Sequence, residues 1–299
     1  MTEPFRMFHV RVDRLTRLSP SFLRVTFTGD DLHLFADRGF DQRIKLILPL
    51  PGDGMAHLPE GPDWFARWRG LDEERQNPMR TYTARRVRPE AGEVDVDVVV
   101  HADGGPASRW AETVRPGGVA ALFGADSRHS GPRGDVVFDP PPGTGAVLLA
   151  GDETAVPAVC AILERLPAGI EGEALMEVPG DADVLDVETA CAVKTVWLPR
   201  NGAARGELLV PAVMAAADRL LPPPPGSPGR EAFQDVDIDA GELWEVPEEE
   251  PEARQPLYAW LAGEAALIRD LRRHLKGERG MDRRAVACMG YWRQGRAEH

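Results

Sequence analysis

The chain is predicted to be α/β plus β: an N-terminal antiparallel β-barrel domain over residues 1–140, then an α/β parallel-sheet domain over residues 141–299. Three observations predict it. At 299 residues the chain is longer than one hydrophobic core usually supports, so about two domains are expected. The first 125 residues carry period-two alternation and frequent turn signals, the signature of an antiparallel barrel. From Gly145 onward short continuous apolar runs alternate with helical stretches, which implies a parallel sheet covered by helices.

In the first domain Phe8, Val10 and Val12 alternate with polar residues, as do Leu23, Val25 and Phe27. Residues 44–48 and 94–100 are more apolar and read as more buried strands. Residues 61–70 (GPDWFARWRG) read as a short helix or loop insertion whose Trp64, Phe65 and Trp68 pack as a local cluster. In the second domain residues 146–150 form a strand that meets a turn at Gly151-Asp152-Glu153-Thr154, then a helix ending at Leu166. Further strands are expected at 174–178 and 193–198, with helices at 207–221 and 263–276. A Pro-rich and acidic insertion over about 222–254 opens on four prolines, Pro222 to Pro225, and is expected to be a solvated linker or surface excursion.

The net charge of −13 argues against nucleic acid and anionic membrane as partners, but it is unevenly spread. Residues 231–252 hold ten acids and no base, which leaves the remainder near −3 and permits a basic pocket elsewhere. No apolar stretch approaches the ~20 residues of a membrane span. The start MTEPFRMFHV lacks the basic-then-apolar order of a signal peptide, so a cytoplasmic location is expected. Three scattered cysteines, Cys160, Cys191 and Cys288, support no disulfide framework, zinc site or iron–sulfur cluster. Any redox chemistry must then come from a bound organic cofactor.

Arg80-Thr81-Tyr82-Thr83 carries the chemistry, together with His101 and the run HADGGPASRW that it opens. On a strand, an arginine, an aromatic and a hydroxyl suit a flavin: a cation for the pyrophosphate, a ring for the isoalloxazine, a partner for N5. Gly104, Gly105 and Pro106 turn the backbone sharply and leave the N–H groups of Ala107, Ser108 and Arg109 at a helix start, where the dipole favours an anion. Each half alone reads equally as an exposed strand with a half-buried tyrosine, or as a plain turn with proline at N1. Order and spacing together read as FAD.

These residues carry a resemblance. The barrel with R-x-Y-T, the following GPASRWA, the second-domain GDET-x-x-PA and the late Gly290-Tyr291-Trp292-Arg293-Gln294-Gly295 resemble the siderophore-interacting protein family. Its members are FAD-containing, NAD(P)H-dependent ferric-siderophore reductases of the ferredoxin-reductase-like superfamily, with an FAD-binding barrel and a nicotinamide-binding α/β domain. The likeness covers nearly the whole chain; R-x-Y-T marks the superfamily, while GDET and Gly-Tyr-Trp-Arg narrow it to the family.

The resemblance implies that Arg80 binds the FAD pyrophosphate, that Tyr82 packs on the flavin and that Thr83 sits near N5, with Thr81 between them. His101 would lie by the adenosine part, with Gly105, Pro106, Ala107 and Ser108 donating backbone N–H groups to phosphate. Asp152, Glu153 and Thr154 would occupy the turn that faces the nicotinamide, although helix capping accounts for them equally well. The family also implies three cations around the iron substrate: Lys45, Arg293 and a third at Arg128, with Arg133 as the alternative. Without the resemblance, Lys45 reads as a strand lysine that snorkels to solvent.

NADH or NADPH is the expected donor, with ferredoxin as an alternative. Glu177, at a strand's carboxyl end, is placed to bind a ribose 2′-OH and favour NADH, whereas Arg200 after the next strand points the other way. The expected function is reduction of ferric iron in siderophore complexes, releasing ferrous iron inside the cell. A general flavin reductase or flavoprotein electron-transfer component is the second reading, and a non-catalytic siderophore-binding protein the third. A monomer is expected, with oligomeric state left open by the sequence.

Overall fold

The computed structural model describes residues 2–101, 105–132, 134–221, 235, 243–247 and 256–295. The chain divides into two compact units, residues 1–136 and 137–298, with the division at Val136/Val137.

The first unit is a seven-stranded antiparallel sheet. Its strands are β1 (Phe5–Arg17), β2 (Phe22–Thr28), β3 (Arg43–Ile47), β4 (Met79–Thr83), β5 (Arg86–Arg88), β6 (Glu93–Val99) and β7 (Val119–Ala125), in the order β4-β3-β7-β1-β2-β6-β5. The two edge strands, β4 and β5, are consecutive in the chain and joined only by Ala84 and Arg85, so the sheet curls until its edges meet. The Arg85 N–H donates to the Asp95 carbonyl on β6 at 2.9 Å and fastens that closure. Alternation supplies the interior: Phe8, Val10, Val25, Phe27, Ile44, Leu46, Val94, Val96 and Leu122 form one buried cluster.

Two helices cover the barrel. In α1 (Trp64–Arg69), Trp64 and Trp68 stand one turn apart and cover Ile47, Met79 and Ala121 on the sheet's outer face. The tryptophans are therefore buried against the barrel as well as against each other's neighbour Phe65. In α2 (Pro106–Thr113), Ala107 and Ala111 face the core one turn apart, and the Trp110 ring lies parallel to Phe27 at 6.2 Å.

The second unit is a six-stranded sheet of β8 (Ala146–Gly151), β9 (Glu171–Val178), β10 (Ala192–Pro199), β11 (Trp244–Glu245), β12 (Leu257–Glu264) and β13 (Val286–Trp292), ordered β10-β9-β8-β12-β13-β11. All are parallel except the edge strand β11. Its helices are α3 (Val156–Arg165), α4 (Leu209–Leu220) and α5 (Ala265–Arg272), the last continuing into a π turn at Arg273–Glu278.

Two expectations are corrected here. The helix expected over 263–276 begins only at Ala265, because the preceding residues 257–264 are a wholly buried strand, and Glu264 caps the helix by accepting the N–H groups of Ala266 and Leu267. The insertion expected as solvated loop contributes an edge strand: Trp244 and Glu245 pair with Met289 and Cys288, Leu243 is buried, and Glu245 is held by Arg272 and Lys276. Apart from 235 and 243–247, residues 222–254 lie outside the described residues.

Candidate functional site

On the barrel, the register of β3 against β4 sorts the R-x-Y-T residues by face. Ile44 pairs with Tyr82 and Leu46 with Arg80 on one face; Arg43 pairs with Thr83 and Lys45 with Thr81 on the other. Tyr82 is half-buried and packs against the barrel core. Arg80 is also half-buried, gives one N–H to the Met79 carbonyl at 2.8 Å, and has no carboxylate partner among the described residues. Arg14, Arg24 and Arg88 of the same unit, by contrast, are bound to Glu93, Asp97 and Asp95.

The α2 start is built to take an anion. Its cap Gly105 is exposed and extended, makes no side-chain capping bond, and a Cβ added there would meet nothing within 4 Å. The N–H groups of Ala107 and Ser108 have no acceptor among the described residues, and the helix dipole adds partial positive charge. Two expectations change: Arg109 spends its N–H on the Gly105 carbonyl at 3.2 Å, and Pro106 has no N–H to give. The Ser108 hydroxyl donates to the Val99 carbonyl at 3.2 Å and accepts the His101 N–H at 3.4 Å, tying the loop that leaves β6 to the helix. An open cradle of this kind, in the same unit as an arginine without a carboxylate and a half-buried tyrosine, fits a flavin dinucleotide. Gly104 lies outside the described residues.

Thr81 serves the opposite face. Its hydroxyl accepts the Lys45 ammonium at 2.7 Å, so the structure groups Thr81 with the cation rather than with Arg80 and Tyr82. Thr83 is buried at the end of β4. Arg128 grips Asp126 with both arms, Nε to Oδ1 at 3.0 Å and Nη2 to Oδ2 at 2.6 Å, which balances much of its charge. Arg133 lies outside the described residues.

In the second unit the GDET turn, Glu177 and Arg200 stand at the carboxyl ends of β8, β9 and β10, where open α/β sheets take their ligands. Their side chains, however, are committed to one another. Asp152 is fully buried and accepts the Thr154 N–H at 2.9 Å, the Thr154 hydroxyl at 2.5 Å, the Glu264 N–H at 2.8 Å and the Trp292 indole N–H at 2.9 Å. Burial, then repulsion from Glu153, push its carboxyl above the ordinary carboxylate range, against the pull of those donors. Gly151 has no room for a side chain, since a Cβ would lie 2.3 Å from the Ala262 carbonyl oxygen. Asp152 therefore knits strand ends together, its carboxylate spent on donors of the protein itself.

Glu153 is buried too. Burial raises its pKa, but Arg200, at 2.7 and 3.1 Å, and Arg205, at 2.5 Å, outweigh that and hold it at about 2. Glu177 is fully buried and accepts the N–H groups of Gly206, Leu208 and Leu209 at 2.8 to 3.3 Å, with Arg200 at 3.4 Å. It anchors the start of α4, so the ribose role expected of it is corrected: the lone pairs a ribose hydroxyl needs are taken. Arg200 is spent on the same acids. Sequence reasoning missed Arg205, which also lies over the Trp292 ring at 4.5 Å; it sits in an irregular loop, with no periodicity to single it out. Arg293 follows Trp292 at the end of β13 and is half-buried.

Among the described residues no group of three or more His, Cys, Asp and Glu is placed to hold a metal, and no helix is long and apolar enough to cross a membrane. Burial pushes the Cys288 thiol up to about 12, which removes it as a thiolate.

Comparison with known proteins gives the family and the fold. Residues 144–295 match the family described as siderophore-interacting protein, and residues 11–129 the siderophore-interacting FAD-binding domain. The ferric vibriobactin reductase ViuB of Vibrio cholerae is 28% identical over 281 residues, 94% of this chain and 87% of ViuB. The crystal structure of the siderophore-interacting protein SipS from Aeromonas hydrophila superposes with a TM-score of 0.68 at 28% identity, covering 98% of this chain and 93% of SipS. The ferredoxin reductase of carbazole 1,9a-dioxygenase, at 16% identity and a TM-score of 0.58 over 98% of this chain and 71% of its own, shares the fold.

Proposed function

The chain belongs to the siderophore-interacting protein family, and on that premise we propose that it reduces ferric iron in siderophore complexes, with electrons from NAD(P)H passed through FAD. The observation that carries the proposal is the two-faced β3–β4 ladder: Arg80 and Tyr82 on one side, the Lys45–Thr81 pair on the other. When bound, FAD supplies the conversion between a two-electron hydride donor and one-electron ferric iron.

The chain's own residues position and charge the reactants. Arg80 and the N–H groups of Ala107 and Ser108 bind phosphate, and Tyr82 offers its ring to the flavin. Thr81 holds the Lys45 ammonium in one place, where it attracts an anionic chelate and favours the added electron. Arg128 is a weaker cation of the same unit because Asp126 balances it, and the family likeness carries a chelate-binding role to Arg293 as well. Ferrous iron binds hard oxygen donors less tightly than ferric iron, so reduction releases it into the cytoplasm, the location proposed for this chain. No side chain need act as general base in electron transfer. With Glu177 and Arg200 both spent, no preference between NADH and NADPH is assigned.

Anaerobic oxidation of NADH or NADPH with a ferrous-specific colour reagent tests the proposal. Oxidation that requires a ferric chelate, with ferrous iron appearing in step, is expected. The fold shared with a ferredoxin reductase favours a second reading, a general flavin reductase or electron-transfer component. Rapid oxidation with free flavin and none with ferric chelates would select it.

A further inference from the structure

Four buried acids of the second unit, Asp152, Glu153, Glu177 and Glu264, take no part in the proposed chemistry. Their hydrogen bonds converge on the residues around Arg293. Trp292, immediately before it, gives its indole N–H to Asp152 at 2.9 Å, and Gln294, immediately after it, gives its backbone N–H to Glu264 at 3.2 Å. The backbone of Arg293 is therefore held on both sides.

An indole held by one hydrogen bond can still swing about it, so the ring needs a second restraint. Arg205 supplies one. Its guanidinium carbon lies 4.5 Å from the Trp292 ring centre while Nη2 donates to Glu153 at 2.5 Å. The Arg205 Nε is buried with no hydrogen-bond partner among the described residues, so the acid and the ring, not a full set of hydrogen bonds, fix this side chain. The loop that carries it is tied down in turn: Gly206, the next residue, donates its N–H to Glu177 at 2.8 Å, and Arg200 at the loop's start is gripped by Glu153. At Gly206, φ is +82° and a Cβ would lie 2.6 Å from Leu267, which reserves the turn for glycine.

We propose that Arg205 is a positioning residue: acting through Trp292, it sets the direction from which Arg293 meets the ferric chelate. The inference rests on the chelate-binding role carried to Arg293. It gives the GDET turn and the 200–206 loop one shared purpose, to hold a cation ready for an anion before the anion arrives.

A double-mutant cycle between Arg205 and Arg293 tests this, read as the affinity of the flavin-loaded protein for a ferric tris-catecholate by equilibrium dialysis of radioactive iron. Arg293→Ala is expected to weaken binding about tenfold and Arg205→Ala about fivefold, yet the double variant only about tenfold, because a cation that is gone needs no positioning. Independent contributions would multiply to about fiftyfold, and that result overturns the proposal. Arg205→Lys keeps the charge beside Glu153 but has no delocalised guanidinium to lie on the ring, so it should still lose about threefold, and the same cycle built on it serves if Arg205→Ala does not fold. Full affinity in Arg205→Lys would make charge alone the cause and overturn the proposal. Trp292→Phe and Trp292→Leu both give up the bond to Asp152, but phenylalanine keeps a face for the guanidinium and should retain affinity that leucine loses; equal loss overturns the role of the ring. Neutral ferric tris(acetohydroxamate) should bind all the variants alike, and a parallel loss of both chelates would mark general damage to the unit and overturn the proposal too. Unchanged affinity in Arg293→Ala removes the role of Arg293 and this inference with it, while continued iron reduction by that variant leaves the ferric-chelate reading standing. Failure of the wild type to bind or reduce either chelate overturns both.

Discussion

Asp152 and Trp292, 140 residues apart, are joined by a hydrogen bond of 2.9 Å from the indole N–H to the carboxylate. The same carboxylate holds the N–H of Glu264, so the GDET turn, the end of β12 and the Gly-Tyr-Trp-Arg end of β13 share one buried acceptor. Gly263 lets it sit there: with φ at +149°, a side chain would be strained, and a Cβ would come within 2.9 Å of Asp152. Asp152→Asn must turn an amide donor toward other donors, at a cost of about 1–3 kcal/mol. Urea unfolding measures it, and a change below about 0.5 kcal/mol, the scale of an ordinary surface substitution, would contradict the role.

Glu153 gives the second unit a pH dependence of defined sign. Its pKa lies at about 2 in the folded chain against an ordinary 4.5, so its pairing with Arg200 and Arg205 stabilises the fold above pH 4.5. That contribution is lost as pH falls from 4.5 toward 2. Unfolding midpoints taken across this window should fall less steeply in Glu153→Gln than in the wild type; parallel profiles would mean that the pair does not carry the slope.

Glu177→Ala should lower stability by about 3–5 kcal/mol, because it strands buried helix N–H groups and part of the Arg200 charge. The ratio of kcat/KM for NADPH to that for NADH should stay the same. A marked shift toward NADPH would return Glu177 to the ribose role.

Arg80→Ala should leave a folded chain that binds FAD about ten- to a hundredfold more weakly, the loss of a charge-assisted phosphate contact of about 1.5–3 kcal/mol. Titrating FAD into the apoprotein, followed by flavin fluorescence, measures this directly. Undiminished affinity would remove Arg80 from the phosphate site.

The two strand patterns, alternating in the first unit and continuous in the second, were legible because period-two and continuous apolar runs are local signals, and residues 8–12, 23–27 and 146–150 carry them plainly. The segment before α5 was not: residues 257–264 are apolar throughout, and an unbroken apolar run does not distinguish a strand from a buried helix. Arg80, Tyr82 and Gly105 were legible as a motif. That Thr81 turns to Lys45 depends on strand register, which no local pattern specifies. Glu177 misled for a related reason: its position at a strand end was right, but burial and four hydrogen-bond donors decide what a carboxylate can bind.

The central claim, that this chain passes electrons to chelated ferric iron, is tested most directly by anaerobic double-mixing stopped flow. NADH or NADPH is first used to bleach the bound flavin, and a ferric tris-catecholate is then added while flavin absorbance and ferrous iron are followed together. Two ferrous ions per flavin are expected, at a rate that Lys45→Ala lowers about tenfold, Arg128→Ala lowers less, and added salt brings closer together. The bleaching step should be unchanged in both variants. Flavin that regains its colour no faster with the ferric chelate than with buffer, or without release of ferrous iron, would contradict the account.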